Sequence, residues 1–520
     1  MPSRRRKHTR RALIGAGILT GGCVAVGGGS YLLFRNATEP ISTVGDVAFD
    51  TPLAIPPLLD PAPGDDGRKH YDLTLRAGET EILPGTMTET WGVNGSFLGP
   101  TIRARRGDTV AMTVTNALPQ GTTLHWHGMH LPAIHDGGPH QPIDEGATWG
   151  PEWEIVQPAS TLWYHPHPHG KTAEHVYRGI AGMILIDDDE SDALDLPGEY
   201  GVDDIPLIIQ DKNFDDDGQL DFDTGSFLDN FGGSPSFGIF GDTILANGTK
   251  GAFFEATRRL TRFRILNGAN TRFLNLAFSD ERSFRLVATG NGLVPGDPVE
   301  LTHIQLGPAE RAEIVVEMAP GDDVILRAME ADLGGQEPQL RGNDTFDILN
   351  LRAGGEVEDS PDLPEVLTGA NGAPEIPDGA TERDFVLEGH TSINGEKMDM
   401  TRIDEAIPAG ALEVWNVSSN GMPHTFHVHG VTFHVLDVEG RQPPPELRGP
   451  KDTIYINDGH AVRLAVQFGT YTDPEHPYMY HCHLLRHEDN GMMGQFVVVE
   501  PGTEQSVARH LDGMDDHAGH

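Results

Sequence analysis

Short stretches in which every second residue is apolar recur along the chain: Val110, Met112 and Val114; Phe263 and Ile265; Val462, Leu464, Val466 and Phe468. Side chains alternate faces along a strand, so each stretch predicts a short β-strand with one face turned inward. Gly, Pro, Asn and Asp separate the stretches, and 63 Gly with 38 Pro leave little room for long helices. The pattern predicts an all-β chain of packed sheets.

The pattern also repeats. Strand-like DTVAMTVTN, ending at Asn116, precedes His125-Trp126-His127-Gly128, and strand-like LEVWN, ending at Asn416, precedes His427-Val428-His429-Gly430. Tyr164-His165-Pro166-His167 then follows the first, and Tyr480-His481-Cys482-His483 the second. The two ends share one layout, and the middle has strands without these pairs. At ~150 residues per domain the length suggests about three domains, and we expect sandwiches over roughly 45–195, 196–355 and 380–502. The acidic, Pro/Gly-rich stretch 356–379 reads as a linker and 503–520 as a solvated tail, its His510, His517 and His520 included.

Arg4, Arg5, Arg6, Lys7, Arg10 and Arg11 run into an apolar, glycine-rich stretch from Ala12 to Phe34, which reads as an export leader over 1–34. Thr9-Arg10-Arg11-Ala12-Leu13-Ile14 resembles the twin-arginine export signal. That would make the export machinery a partner and the location periplasmic, cell-surface or extracellular. Leu19-Thr20-Gly21-Gly22-Cys23 loosely resembles a lipoprotein cleavage site, with Thr20 where an aliphatic residue is usual, so a membrane tether through the leader stays open. Beyond Phe34 no apolar run approaches the ~20 residues that span a bilayer.

With 78 acidic against 37 basic residues, only seven of them Lys, the net charge is −41. That excludes a basic nucleic-acid binder and keeps a surface hydrated and repulsive. Adaptation to high salt and an ordinary acidic secreted protein are both compatible with it. Cysteine occurs only at Cys23 and Cys482, so no internal disulfide framework supports the mature fold. Histidine is the opposite case: 25 are present, and they are bunched.

Residues two apart on a strand share a face, so each His-x-His pair sets two imidazoles side by side. Four such pairs, in HWH, HPH, HVH and HCH, have no packing rationale and point to a multi-metal site shared by the end domains, in which imidazole suits copper, zinc, iron or nickel. Cys482 faces away from His481 and His483, and with His424, His487 and a distant Met it makes the His₂Cys set of a blue-copper centre. Met492 is the better axial candidate and Met493 the fallback; core packing is the plain alternative for both.

These residues, with WGVNGSFLGP, LHWHG, DGGPH, WYHPHPHGK, QDKNF, MPHTFHVHG and HCHLLRHEDNGMM, resemble a three-domain multicopper oxidase, nearest the bacterial and archaeal laccase and cuprous-oxidase branch. The resemblance covers nearly the whole mature chain and implies three cupredoxin-like Greek-key β-sandwich domains carrying four copper ions. It implies that His424, Cys482, His487 and Met492 hold a type 1 copper. His125 and His427 would hold a type 2 copper, and His127, His165, His167, His429, His481 and His483 a type 3 pair. Electrons would pass from substrate through Cys482 and its neighbours His481 and His483 to the three-copper cluster, where O₂ becomes two waters. Asp136 and Glu488 would supply protons. His130, His135, His140, His169, His175 and His434 exceed the ligand count and read as supporting or surface residues.

The implied reductants are small phenols and aromatic amines, or Cu(I). Cuprous oxidases of this branch carry a Met-rich insertion and an acid four residues before the type 1 histidine. Here the region 355–410 has only Met398 and Met400, and Asn420 stands at the acid's position, although Met422 is retained. That departure favours a broader laccase. A copper-free export or cell-division scaffold would lack ligands that this chain keeps. An electron carrier would leave eight histidines unexplained, and a copper nitrite reductase typically has two sandwiches.

Overall fold

The computed structural model describes residues 39–62, 67–222, 238–369 and 372–511. The leader, Cys23, His517 and His520 lie outside the described residues. Strand Thr109–Ala117 shows how the predicted alternation works: Val110, Met112, Val114 and Asn116 are buried and their neighbours are not. Strand Ala461–Phe468 buries Val462, Leu464, Val466 and Phe468 on its inner face, with Ala465 buried as well. Strand Leu260–Asn267 departs from the pattern, being buried on both faces. Phe263 and Ile265 enter the apolar core. On the other face Arg262 and Arg264 are buried with Glu313 and Asp204, and Arg264 Nη1 also donates to Thr161 Oγ1 of the first sandwich. Those charges are paired because a neighbouring sandwich, not water, covers that face.

The sheets form three stacked pairs, each around its own apolar cluster: three cupredoxin-like β-sandwiches. In the first, one sheet runs Leu58–Leu59, Thr101–Arg105, Gly182–Asp187, Ser160–His165, His125–His127. In the third, the corresponding sheet runs Glu405–Pro408, Met493–Val499, Asp473–Cys482, His424–Val428, Thr453–Ile456. Both place two histidine-bearing strands antiparallel and adjacent, with His165 opposite His125 and His481 opposite His427. The echo stops short of the preceding strands: Leu412–Asn420 runs four residues past Asn416, whereas Asn116 is buried and donates to the Ile143 carbonyl.

Three expected boundaries shift. Strand Thr51–Pro52 pairs in parallel with Ala252–Arg258, and Leu53 and Ile41 pack into the middle core, so the residues placed at the start of the first sandwich complete the second. Strand Phe346–Glu358 and the buried Leu367 carry the middle sandwich into the expected linker. Leu511 packs on Ile403, Val497 and Val499 and His510 bridges Arg402, so the stretch expected as a tail is seated on the third sandwich as far as Leu511. In each case isolated apolar residues found a core that composition alone obscured. Among the described residues no helix is long and apolar enough to cross a membrane.

Candidate metal centre

The histidine strands of the first and third sandwiches meet face to face. His125 stacks on His429 with ring centroids 3.8 Å apart, and His127 on His427 at 3.7 Å. His165, His167, His481 and His483 close around them. All eight are buried, His125 and His483 being 1 % exposed and the other six fully covered. Their ligand atoms form the groups His125/His127/His165, His125/His427/His429, His167/His429/His481 and, with a carboxylate, His127/His427/Asp452.

Apart from those of His483, the outward nitrogens face acceptors. His125 Nδ1 donates to the Asp136 carbonyl (2.9 Å), His165 Nδ1 to the Pro166 carbonyl (2.8 Å) and His427 Nδ1 to the Asp452 carbonyl (2.9 Å). His429 Nδ1 donates to Asp136 Oδ2 at 2.7 Å. Glu488 brings its two oxygens to His167 Nδ1 (3.3 Å) and His481 Nδ1 (3.2 Å). An acceptor on one ring nitrogen fixes the tautomer and leaves the other as a lone pair. Those lone pairs converge: His481 Nε2 lies 3.2 Å from both His167 Nε2 and His429 Nε2. The Nε2 atoms of His125 and His427 and both nitrogens of His483 are buried without a protein partner. Facing lone pairs repel unless a cation lies between them, and two nitrogens bound 2.0–2.1 Å from one tetrahedral metal sit about 3.3 Å apart. The donor set therefore fits metal ions.

Burial pushes six of these imidazoles toward the neutral, ligand-ready form. His127, His165, His427, His429 and His483 are all held well below the usual histidine value, by burial first and then by neighbouring imidazoles. His167 falls to about 3 for the same first reason, against the pull of Glu488. Burial alone would raise the Glu488 carboxyl, but His167 and His481 bring it down to about 2.

A second group stands behind the first. His424, Cys482 and His487 converge in the third sandwich, with Cys482 Sγ 3.6 Å from His487 Nδ1. His424 Nε2 donates to the Gly389 carbonyl (2.9 Å), which leaves Nδ1 as the lone-pair nitrogen, near the Ser419 hydroxyl (2.8 Å). Burial lowers His424 to about 4 and pushes the Cys482 thiol up to about 12. A thiol in such surroundings ionises only when a cation binds it. Met492 is fully buried in the same apolar cluster as Cys482, while Met493 heads a strand opposite His481. Cys482 lies between His481 and His483 in sequence and so links the two groups covalently.

Every ligand candidate named from sequence lies in or beside one of the two groups, and Asp136 and Glu488, each 1 % exposed, touch the larger one. None of His130, His135, His140, His169, His175 and His434 falls in a ligand group among the described residues. Sequence reasoning missed Asp452, which abuts two histidines, and His390, whose Nδ1 lies 3.3 Å from His487 Nε2. Asp452 carried one signal: Lys451-Asp452 leads straight into the apolar strand Thr453–Ile456, where charges have to be paired to be buried. His390 carried none.

Two multicopper oxidase family models match this chain, over residues 74–191 and 361–502. Multicopper oxidase mco of Staphylococcus epidermidis is 35% identical over 86% of this chain and 92% of its own length. The cell division protein FtsP of Salmonella typhimurium is 37% identical over the same shares. The crystal structure of a laccase from Pediococcus acidilactici superimposes with a TM-score of 0.78 at 35% identity, covering 86% of this chain and 94% of that one. The convergent histidines and the matches at both ends place the chain in one family: it belongs to the multicopper oxidases.

Proposed function

We propose that this copper oxidoreductase is laccase-type: it oxidises small phenolic or aromatic substrates by one electron and delivers the electrons to O₂. The observation that carries the reading is the pair of donor groups joined through Cys482. In this reading His424, Cys482, His487 and Met492 would hold a type 1 copper. His125 and His427 would hold a type 2 copper, and His127, His165, His167, His429, His481 and His483 a type 3 pair. Bound copper would take electrons singly at the first site and supply four to O₂ at the second, with four protons, to give two waters.

The chain's own residues do the rest. Cys482 would offer a covalent path from its sulfur to the flanking His481 and His483, which enter the cluster. Asp136 and Glu488 hold carboxylates against His429, His167 and His481, inside a shell that excludes bulk water, where protons have to be delivered. The leader 1–34 as a twin-arginine signal, and hence an exported enzyme, belongs to the same proposal.

A cuprous-ion substrate is the second reading. Met398, which donates its N–H to the Gly491 carbonyl beside Met492, favours it, while the exposed Asn420 offers no carboxylate. The match to a cell division protein raises a copper-free scaffold, against which the intact donor groups stand. O₂ uptake by the copper-loaded protein, with a simple phenol against Cu(I) over a range of salt and Cys482→Ser as blank, tests all three. We expect phenol-driven uptake that vanishes in the variant. Preference for Cu(I) would move the assignment to cuprous oxidase, and no uptake with either would overturn the oxidase reading.

A further inference from the structure

The middle sandwich supplies none of the candidate ligands, yet one of its side chains reaches the cluster. Arg311 opens strand Arg311–Glu317 of that sandwich and is 2 % exposed. Its guanidinium grips Asp452 of the third sandwich with two parallel bonds, Nη1 to Oδ1 at 2.7 Å and Nη2 to Oδ2 at 2.6 Å. Its three other N–H donors go to the Thr161 carbonyl (3.1 Å), the Ala309 carbonyl (3.0 Å) and Asn291 Oδ1 (3.1 Å). All five donors of the group are thus used, so it is fixed in every direction. The fit is tight, for a Cβ at Gly128, directly after His127, would collide with the Asp452 carboxylate.

The clamp has a chemical consequence. A carboxylate held by a bidentate Arg stays ionised and can only accept. Asp452 Oδ1 accepts from Arg311 and from the Thr453 hydroxyl (2.6 Å) and also lies 3.1 Å from His127 Nε2. The Nη1 hydrogens being engaged elsewhere, the 3.3 Å approach of Nη1 to His127 Nε2 is a contact that the imidazole tolerates by donating to Asp452 and to the Thr453 hydroxyl oxygen (3.0 Å), whose own proton goes to Asp452. Nε2 is therefore the protonated nitrogen of His127, and Nδ1 is its lone pair, 3.4 Å from His165 Nε2. His125, His165, His427 and His429 are held the other way, with Nδ1 protonated by its acceptor.

We infer that Arg311 is a positioning residue for the cluster: by clamping Asp452 it imposes the Nε2–H tautomer on His127 and makes that residue present Nδ1, not Nε2, to metal. The inference rests on the proposed copper assignment. It gives the ligand-free middle sandwich a part in building the site that the end sandwiches share.

A neighbouring ion pair provides the control. Lys451 Nζ meets Glu310 Oε1 at 3.0 Å, each residue directly preceding a member of the Arg311–Asp452 pair; this ion pair joins the same two sandwiches and is equally buried, but its side chains touch no candidate ligand. The full-length protein would be loaded with Cu(II) as wild type, Arg311→Lys, Arg311→Met and the neutral double variant Glu310→Gln with Lys451→Met. Copper stoichiometry, the blue absorption of the Cys482 site, the paramagnetic resonance of cluster copper and Tm would be read for each.

Arg311→Lys keeps the charge but loses the fork, and outer-shell partners of this kind typically govern metal affinity by ~10–100-fold. We expect it to weaken cluster copper within that range and alter the cluster resonance, with the blue band unchanged. Arg311→Met should be worse, and the double variant should keep its copper whatever its Tm. Wild-type copper affinity and resonance in Arg311→Lys would overturn the inference alone, as would equal copper loss in the double variant at a matched Tm. A wild-type protein that takes copper only at Cys482 would overturn the cluster assignment, and this inference with it. Should Arg311→Met fail to fold, Arg311→Lys still decides.

Discussion

The two donor groups are built from the same side chain and held in different ways. Around the eight-histidine cluster the outward nitrogens meet three carboxylates, Asp136, Asp452 and Glu488, besides main-chain carbonyls. At the cysteine group His424 is held by the Gly389 carbonyl and His487 faces the imidazole of His390, amid Met422, Phe426, Leu484 and Met492. Carboxylate holders raise ligand basicity and can pass protons; neutral holders in an apolar shell do neither. The contrast matches a division of labour in which one site handles protons and the other only an electron.

The largest effect should come from Glu488→Gln. It keeps the shape and removes the charge between His167 and His481, and steady-state O₂ uptake should fall ~10²–10⁴-fold, the usual weight of a positioned proton-transfer group. Anaerobic bleaching of the blue band by a phenol should be untouched. If bleaching slowed in proportion, the two sites would not be divided as described.

Acid should next separate the folded, copper-free chain from the unfolded one. Above the usual histidine value near 6.5 both states hold neutral imidazoles. Below it the unfolded chain takes up protons that buried His424 (about 4) and His167 (about 3) refuse, so stability falls from there down toward those values. The cost is about 1.4 kcal/mol per such histidine per pH unit. Glu488, lowered to about 2, contributes stability that is lost only below the ordinary glutamate range, so from 6.5 to 4.5 the histidines set the fall, against the smaller number of carboxyls, Asp489 and Glu405, that burial raises. Tm of the copper-free protein should therefore drop steadily between pH 6.5 and 4.5, and a flat profile would mean that the imidazoles are not closed off.

His390→Ala should have a smaller effect, because it uncovers the His487 edge without touching the thiolate site itself. We expect KM for phenols to change by up to ~10-fold, in line with the loss of one hydrogen-bonding contact, and O₂ reduction by the prereduced enzyme to stay constant. Smallest of all, Asn420→Asp restores an exposed carboxylate. It should lower KM for Cu(I) by up to ~5-fold, the scale of an exposed charge pair, with the gain shrinking as salt rises and phenol turnover unaltered.

Much of this was legible in the residues because strand chemistry is local. A His-x-His pair on a strand has to present two rings to one side, and four pairs in two matching layouts leave one way to bring them together. The partners from elsewhere were not legible. Arg311 stands between Glu310 and Glu313, nearer acids in sequence, and only the register of three sandwiches shows that it meets Asp452 across 141 residues. Arg262 and Arg264 occupy positions that alternation assigns to water and that a neighbouring sandwich covers. The strand Thr51–Pro52 is too short to carry a pattern, and its partner is named by the completed sheet alone.

That short strand bears on how the chain reaches its final form. Its hydrogen-bonding partner begins at Ala252, and the bond between His429 and Asp136 closes a loop of 293 residues. Pairings so remote come late and slowly, because the entropy of closing each loop is lost before its contacts form. His125, His127 and His165 converge within the first sandwich, but a nascent chain completes the shared cluster only once the strands of the third sandwich have been made. The site acts as a test of completeness, since a product truncated before Cys482 could fold two sandwiches and still assemble neither donor group.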